Sequence, residues 1–192
     1  MISAVELIKT TVLSDNWYVL RKHTYRFKNA QGEWVTQERE AYDRGNGATI
    51  LLYNLAQRTV VLTRQFRLPT YVNGNPDGML IEAPAGLLDQ DNAETCIRRE
   101  TQEETGYLID QPVKLFHVYM SPGSVTEIVH FFAATYTAAM KVEEGGGLEE
   151  EQENIEVLEM DFDEAYQMIA SGGIMDAKTI MLLQYAKLHL GF

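Results

Sequence analysis

Residues 86–107 read GLLDQDNAETCIRRETQEETGY, and they carry the strongest structural signal in the chain. Its second half is rich in helix-forming residues, and Gly106 stands where a residue in the left-handed conformation would end a helix. We therefore predict a helix from Ala93 to Thr105. The segments on both sides of it alternate between apolar and polar residues as β-strands do.

The acidic side chains of this helix continue its apolar face. Ala93, Ile97, Glu100 and Glu104 follow the spacing of a stripe that packs against a protein interior. Two carboxylates one turn apart raise each other's pKa unless a cation lies between them. Oxygen ligands suit Mg²⁺ or Mn²⁺, which keep several waters for substrate phosphates. A solvated surface of glutamates and arginines is the alternative, and the phase of the stripe argues against it.

The rest of the chain predicts an α+β fold, with a mixed sheet flanked by helices and a β-rich N-terminal addition. Residues 1–44 are too few to hold a core of their own, so we expect them to pack on residues 45–192 or on a second copy of the chain. Two helices are expected near the end, at Asp163–Ala170 and Ala177–Leu190. The expected strands are Val5–Ile8, Trp17–Phe27, Trp34–Tyr42, Ala48–Tyr53, Thr59–Leu68, Met79–Ala83, Lys114–Met120, Val125–Tyr136 and Ile155–Met160.

Composition excludes several classes of protein. The 192 residues include 16 Lys and Arg against 28 Asp and Glu, which gives a net charge of −12. Such an acidic chain is unsuited to nucleic acid or a membrane surface, because both are polyanions. Cys96 is the single cysteine, so no internal disulfide forms and a reducing cytoplasm is the expected compartment. No apolar run is long enough for a membrane span, and Glu6 interrupts any signal-peptide pattern.

The motif Arg99-Glu-Thr-Gln-Glu-Glu-Thr-Gly-Tyr107, with Gly86 upstream, resembles the Nudix box. The resemblance implies a mixed sheet between helices and the Mg²⁺-dependent hydrolysis of a nucleoside diphosphate linked to another group. The chain departs from the motif in three ways. The spacer from Gly86 to Arg99 is one residue shorter than usual, so that Asn92 or Asp91 stands where an upstream glutamate is usual, depending on which end is aligned. Thr101 replaces an aliphatic residue. The resemblance also implies metal ligation by Glu100, Glu104 and the backbone carbonyl of Ala85, with Arg99 and Glu103 supporting the helix.

Motifs outside the box resemble one branch of that family, the nucleotide-sugar and ADP-ribose pyrophosphatases. They are Ala83-Pro-Ala-Gly86, Ser121-Pro-Gly123 and the acidic stretch before Ile155. In that branch the N-terminal β addition builds a swapped homodimer, and each active site borrows residues from its partner. The group of GDP-mannose pyrophosphatases is resembled more narrowly, through Asp43–Gly47, Arg64–Arg67, Tyr119–Gly123 and Asp176–Thr179.

This resemblance implies that GDP-mannose is split into GMP and mannose 1-phosphate. Hydrolysis of ADP-ribose to AMP and ribose 5-phosphate is the alternative, because Pro122 stands where the ADP-ribose branch carries its marker proline. A nucleotide-sugar sensor without turnover is a more distant alternative. The intact acids of the box, Glu100, Glu103 and Glu104, argue against it.

The acidic segment from Ala138 to Asn154 is longer than most connections and carries three consecutive glycines, Gly145–Gly147, whose conformational freedom permits hinge motion. A mobile carboxylate above a metal site can take a proton from the attacking water or ligate the metal. Counting back from the strand that begins at Ile155 selects Glu153 as the catalytic carboxylate. Counting forward from the glycines selects Glu151, which would also be a metal ligand. Both registers stay open.

An anionic substrate of an acidic protein needs local cations. Arg39 and Arg67 are the candidates for phosphate binding, since a guanidinium can hold a phosphate through two hydrogen bonds. Trp17 is a candidate to stack on a nucleobase across a dimer interface, whereas its pattern alone favours an aromatic side chain of a core or interface. Together with the family resemblance, the candidates for substrate contact are Trp17, Glu38, Arg39, Glu40, Arg67, Gly86, Leu87, Glu127, Glu150 and Lys178.

Overall fold

The structure is a computed structural model that describes residues 4–148, 150 and 153–192. The described chain forms two compact units. The first unit comprises the residues up to Asn46 together with Tyr119–Ile128, and the second comprises Gly47–Val118 together with Val129–Phe192. The predicted boundary after residue 44 does not include this return of the chain to the first unit.

The first unit contains a three-stranded antiparallel sheet in the order β1-β2-β3. Its first strand is longer than the expected Val5–Ile8, because the β-branched residues 10–12 continue it. No described residue of this unit is buried, and Val5, Leu7 and Ile8 are each more than half exposed. The strands are β1 (Val5–Asp15), β2 (Val19–Lys28) and β3 (Trp34–Asp43).

The second unit is built on a mixed sheet of seven described strands, which confirms the predicted α+β class. Five strands follow the order β10-β5-β4-β9-β8, while β6 pairs with β5 and β7 pairs with β4. The β4–β9 pair is parallel. The strands are β4 (Gly47–Asn54), β5 (Thr59–Phe66), β6 (Met79–Glu82), β7 (Ala85–Leu87), β8 (Val113–Tyr119), β9 (Ile128–Thr135) and β10 (Glu156–Asp161).

The described helices are α1 (Leu68–Val72), α2 (Ala93–Thr105), α3 (Phe162–Ser171) and α4 (Ala177–His189). The bounds of α2 are those that the sequence predicts. Helix α3 is longer than predicted by one residue at each end, and α4 is shorter by one residue at its C-terminal end. Helix α1 and strand β7 are not predicted, because five and three residues are too few to show a period. No helix in the described part of the chain is long and apolar enough to cross a membrane.

Helix α2 is fixed to the centre of the second sheet by a buried core. Ile97 packs in one cluster with Ile50 and Leu52 of β4 and with Phe132 of β9. The same strand β4 pairs with β7, where Thr49 lies opposite Ala85. The core therefore places the acidic helix and the backbone of β7 side by side.

Candidate active site

Both ends of α2 are defined by local sequence. Asn92 caps the first turn, since its side-chain oxygen accepts hydrogen bonds from the backbone N–H groups of Glu94 and Thr95. Gly106 ends the helix in the left-handed conformation, with φ of 77°. Asn92, which departs from the motif, thus serves as the N-terminal capping residue and fixes where α2 begins.

Glu104 is the most buried acid of α2 and is only 2% exposed. Its Oε2 accepts the backbone N–H of Ala85 over 3.1 Å. Burial raises the pKa of Glu104 well above its ordinary value, and the negative charges of Glu100 and Glu153 raise it further. A buried carboxylate among other acids stays ionised only beside a cation. The arrangement therefore favours a cation at this point.

Glu100 lies directly against β7. A Cβ atom at Gly86 would stand 2.1 Å from Cδ and 2.3 Å from Oε1 of Glu100, which is closer than side chains approach one another. Glycine is therefore required at this position if the carboxylate is to occupy its place.

Arg99 bridges the acids on the outer side of the helix. Its Nη2 lies 2.9 Å from Oε1 of Glu100, and its Nη1 lies 2.9 Å from Oε2 of Glu103. The second pair has the i,i+4 spacing that stabilises helices. Arg99 thereby holds both carboxylates while the third acid, Glu104, points into the protein.

The other buried groups of α2 are satisfied within the protein. Thr101 donates its hydroxyl hydrogen bond to the carbonyl of Ile97, so this polar replacement of an aliphatic residue has a partner. Cys96 donates to the carbonyl of Leu87 over 3.1 Å. Burial raises the pKa of the Cys96 thiol to about 12, which rules out a nucleophilic thiolate at neutral pH.

The carboxylates fit a hard divalent cation by their chemistry. The donors available beside β7 are oxygens, and they carry excess negative charge. Within residues 4–148, 150 and 153–192, no three acidic, histidine or cysteine side chains already form a metal cluster. Arg99 engages Glu100 and the N–H of Ala85 engages Glu104. A bound cation would therefore compete with Arg99 for the Glu100 carboxylate.

The three glycines of the acidic segment are docked on the C-terminal end of α2. The N–H groups of Gly146 and Gly147 donate to the carbonyls of Glu104 and Glu103, over 2.9 and 3.1 Å. A Cβ at Gly145 would lie 2.7 Å from the same Glu104 carbonyl oxygen. The sequence suggests a glycine hinge here, whereas the structure uses these glycines for close approach to the helix end.

Glu153 follows this docked segment, and its negative charge raises the pKa of the buried Glu104. Its Oε2 accepts the backbone N–H of Leu148 over 3.1 Å. A Cβ at Gly147 would stand 2.4 Å from the same oxygen. The competing candidate, Glu151, lies outside the described residues, and Glu150 is exposed.

A network of ion pairs lies in the same unit. Glu82, at the end of β6, pairs through Oε2 with Nε of Arg67 over 2.6 Å and through Oε1 with Nζ of Lys178 over 3.2 Å. Lys178 also pairs with Asp176 over 2.7 Å. The positive charge of Arg67 lowers the pKa of Glu104, so the network lies within electrostatic reach of the buried acid.

Sequence reasoning singled out Arg67 and Lys178 but not their acidic partners. Glu82 could have been recognised as an acid that ends an otherwise apolar strand, Met79–Glu82, just before the glycine motif. Asp176 shows the pattern of a helix cap, because it immediately precedes α4.

The remaining candidates belong to the first unit. Trp17 is 85% exposed, and its ring stacks on that of Tyr18 with 5.8 Å between centroids. Glu127 lies 3.5 Å from Nε of Arg44. Arg44 in turn lies over the Tyr18 ring at 5.6 Å.

Arg39 and Glu40 line a groove of about 690 Å³ on the first unit, together with His23, Tyr25 and Tyr119. Glu38 is not among the residues that line this groove, and it accepts hydrogen bonds from Lys22 and Thr24. The groove presents aromatic rings, one guanidinium and one carboxylate, a mixture suited to a polar ligand with a ring.

Two family models together match nearly the whole sequence. The sequence model of the NUDIX domain matches residues 43–181, and that of the GDP-mannose pyrophosphatase NudK N-terminal domain matches residues 4–42. A GDP-mannose pyrophosphatase of Yersinia enterocolitica is 60% identical over 185 residues, which are 96% of this chain and 96% of that protein. One of Klebsiella pneumoniae is 56% identical over 94% of this chain and 90% of that protein.

A solved structure described as an ADP compounds hydrolase has the same fold. Its TM-score is 0.76, and the match covers 100% of this chain and 96% of that chain at 14% identity. The Nudix fold that the box motif implies is thereby confirmed. With the NUDIX match over most of the chain and relatives more than half identical, this chain belongs to the Nudix hydrolase family.

Proposed function

We propose that this protein hydrolyses the pyrophosphate bond of a nucleotide sugar and that its substrate is GDP-mannose. Water adds to one phosphorus, the bridging P–O bond breaks, and GMP and mannose 1-phosphate leave with release of a proton. The relatives that carry this activity in their name support the choice of substrate. The observation that carries the chemistry is the buried Glu104 carboxylate beside Glu100 and Glu153.

Mg²⁺ is the cation that we propose for this site, with Mn²⁺ as a substitute. Glu100, Glu104 and the carbonyl of Ala85 would hold it. Such an ion neutralises the charge of a diphosphate and makes a nearby water more acidic. Arg99 and Glu103 keep the helix and the Glu100 carboxylate in place.

We propose Glu153 as the general base. Its backbone is anchored, since the N–H of Glu153 donates to the carbonyl of Leu148 and the N–H of Ile155 donates to Gly146. The Glu153 carboxylate is also the described loop acid whose charge reaches Glu104. Glu151 keeps its place as the alternative base or metal ligand, and Glu127 is a further alternative as base.

We propose that Arg67 and Lys178 bind the diphosphate, because both cations lie in the unit that carries the buried carboxylates. Arg39 would add a third positive charge, and the exposed ring of Trp17 would stack on the base. The further proposed contacts to the substrate are Glu38, Glu40, Gly86, Leu87, Glu127 and Glu150.

A homodimer is the assembly that we propose, with residues 1–44 swapped onto the partner and residues 45–192 forming the Nudix domain. The absence of any buried residue among the described residues of the first unit supports this. The exposed apolar side chains of β1 would be covered by the second copy. The compartment that we propose is the cytoplasm, where a protein with one buried thiol needs no disulfide.

The proposed reaction predicts that the purified protein with Mg²⁺ hydrolyses GDP-mannose faster than ADP-ribose or ADP-glucose. Chromatography of the nucleotide products measures this, with GMP as the expected product. Glu104→Gln should keep its fold and lose most of the activity, because a neutral amide is a weaker ligand for a hard divalent ion. Preferred turnover of ADP-ribose would establish the alternative substrate. Tight binding of GDP-mannose without turnover would identify a sensor.

The base assignment predicts that Glu153→Gln lowers kcat by about 10²–10⁴ with little change in KM or in Mn²⁺ affinity. Glu151→Gln should have a smaller effect. Steady-state kinetics and a Mn²⁺ titration measure these quantities. A loss of Mn²⁺ binding in Glu153→Gln would instead make this residue a metal ligand, and a larger effect of Glu151→Gln would show that the other register is correct.

Two alanine substitutions at glycines, one beside Glu153 and one remote from it, test whether the position of the Glu153 carboxylate matters. Gly147→Ala should lower kcat in the same direction, since its Cβ would stand 2.4 Å from the Glu153 carboxylate. Gly172→Ala carries the same backbone strain, with φ of 78° against 82°, but meets no atom within 4 Å. Equal activity of the two variants would show that the position of Glu153 does not matter.

The assembly predicts a dimer by light scattering at micromolar concentration. Leu7→Lys, at a side chain that is 64% exposed on β1, should shift the protein towards monomer and reduce activity. Leu188→Lys, at a side chain that is 75% exposed on α4, is the control and should leave the dimer intact. A fully active monomer of the unsubstituted protein would contradict the swapped arrangement.

A further inference from the structure

We propose that Glu82 is a positioning residue, which holds Arg67 and Lys178 in the places where they meet the diphosphate. This inference rests on the proposed function, because it assumes an anionic substrate at these two cations. It adds a residue that makes no contact with the substrate and acts only through the side chains that do.

The three side chains of this network differ in solvent exposure, and the acid is the most buried of them. The Glu82 side chain is 4% exposed, whereas those of Lys178 and Arg67 are 18% and 39% exposed. Each Glu82 oxygen takes a different cation, Oε2 the Arg67 Nε and Oε1 the Lys178 Nζ. The carboxylate thus lies beneath two cations that reach towards solvent, and an arriving anion would meet the positive groups.

Lys178 has a second acidic partner, Asp176, and hydrogen bonds connect Asp176 through Thr179 to the backbone just before β7. Asp176 accepts a hydrogen bond from Lys178 over 2.7 Å and bonds from the N–H and the hydroxyl group of Thr179. The Thr179 oxygen accepts the backbone N–H of Ala83 over 2.6 Å. Ala83 lies two residues before Ala85, whose N–H holds Glu104. Glu82, Ala83 and Ala85, which hold the two cations, Thr179 and the buried acid respectively, therefore lie on one continuous stretch of backbone.

Stability alone gives little reason for such a network. Burying charged side chains costs desolvation, and apolar replacements of buried ion pairs are often as stable or more stable. Burial by itself would lower the pKa of Lys178, but Asp176 and Glu82 raise it, so the lysine stays charged. The network preserves two positive charges at fixed positions, and a diphosphate is the ligand that uses them.

The test is the kinetics of Glu82→Gln on GDP-mannose with Mg²⁺. Misplaced cations weaken substrate and transition state alike, so KM should rise at least about tenfold while kcat stays within a few-fold. Mn²⁺ affinity should not change, because the metal carboxylates are untouched. Glu156→Gln is the control, since it removes one of the two acidic partners of Arg64, 3.4 Å away on the neighbouring strand, and should leave KM unchanged.

The effect of Glu82→Gln in an Arg67→Ala background separates positioning from general structure. If Glu82 acts through the cations, its KM penalty shrinks several-fold once Arg67 is gone. An equal penalty in both backgrounds, or a fall in kcat with KM unchanged, would overturn the proposal. Should Glu82→Gln fail to fold, Glu82→Gln/Lys178→Met removes one charge of each sign, and its KM should exceed that of Lys178→Met alone. Lack of GDP-mannose turnover by the unsubstituted protein would refute the proposed function, independently of these ratios.

Discussion

The buried carboxylate of Glu104 is the constraint on which the candidate site depends. It is held by one backbone N–H of β7 and faces the charges of Glu100 and Glu153. An acid in this environment is costly unless a cation compensates it. The neighbouring features all serve to keep the acids together: a glycine that leaves room for Glu100, an arginine that bridges the outer acids, and glycine N–H groups that cap the helix end.

The second unit contains two groups of charged side chains. The acids of α2 favour a divalent cation. Arg67 and Lys178, which pair with the more buried acids Glu82 and Asp176, are the positive groups that an arriving anion would meet. A metal–diphosphate complex would match both groups at once. Under the proposed function, this would allow a chain with a net charge of −12 to bind a negatively charged nucleotide sugar.

The sequence predicts the parts of this arrangement that depend on local pattern. Helix α2 follows from Gly106 at its C-terminal end and from its apolar period. The inward position of Glu104 follows because it lies two turns after the buried Ile97 on the same face of the helix. What the sequence does not predict depends on contacts between distant segments. The bond from Ala83 to Thr179 joins residues 96 apart, and the docking of the glycines on α2 changes the role that their composition suggests. Short elements such as β7 also escape notice, because three residues have no period.

Thermal unfolding with and without Mn²⁺ tests most directly whether the carboxylates at α2 are held for a cation. Mn²⁺ should raise the Tm of the unsubstituted protein, since a ligand of the folded state stabilises it by mass action. Without metal, Glu104→Gln should be at least as stable as the unsubstituted protein, because the repulsion is removed, and Mn²⁺ should no longer raise its Tm. An equal Mn²⁺ response in both proteins, or no response in either, would contradict the account.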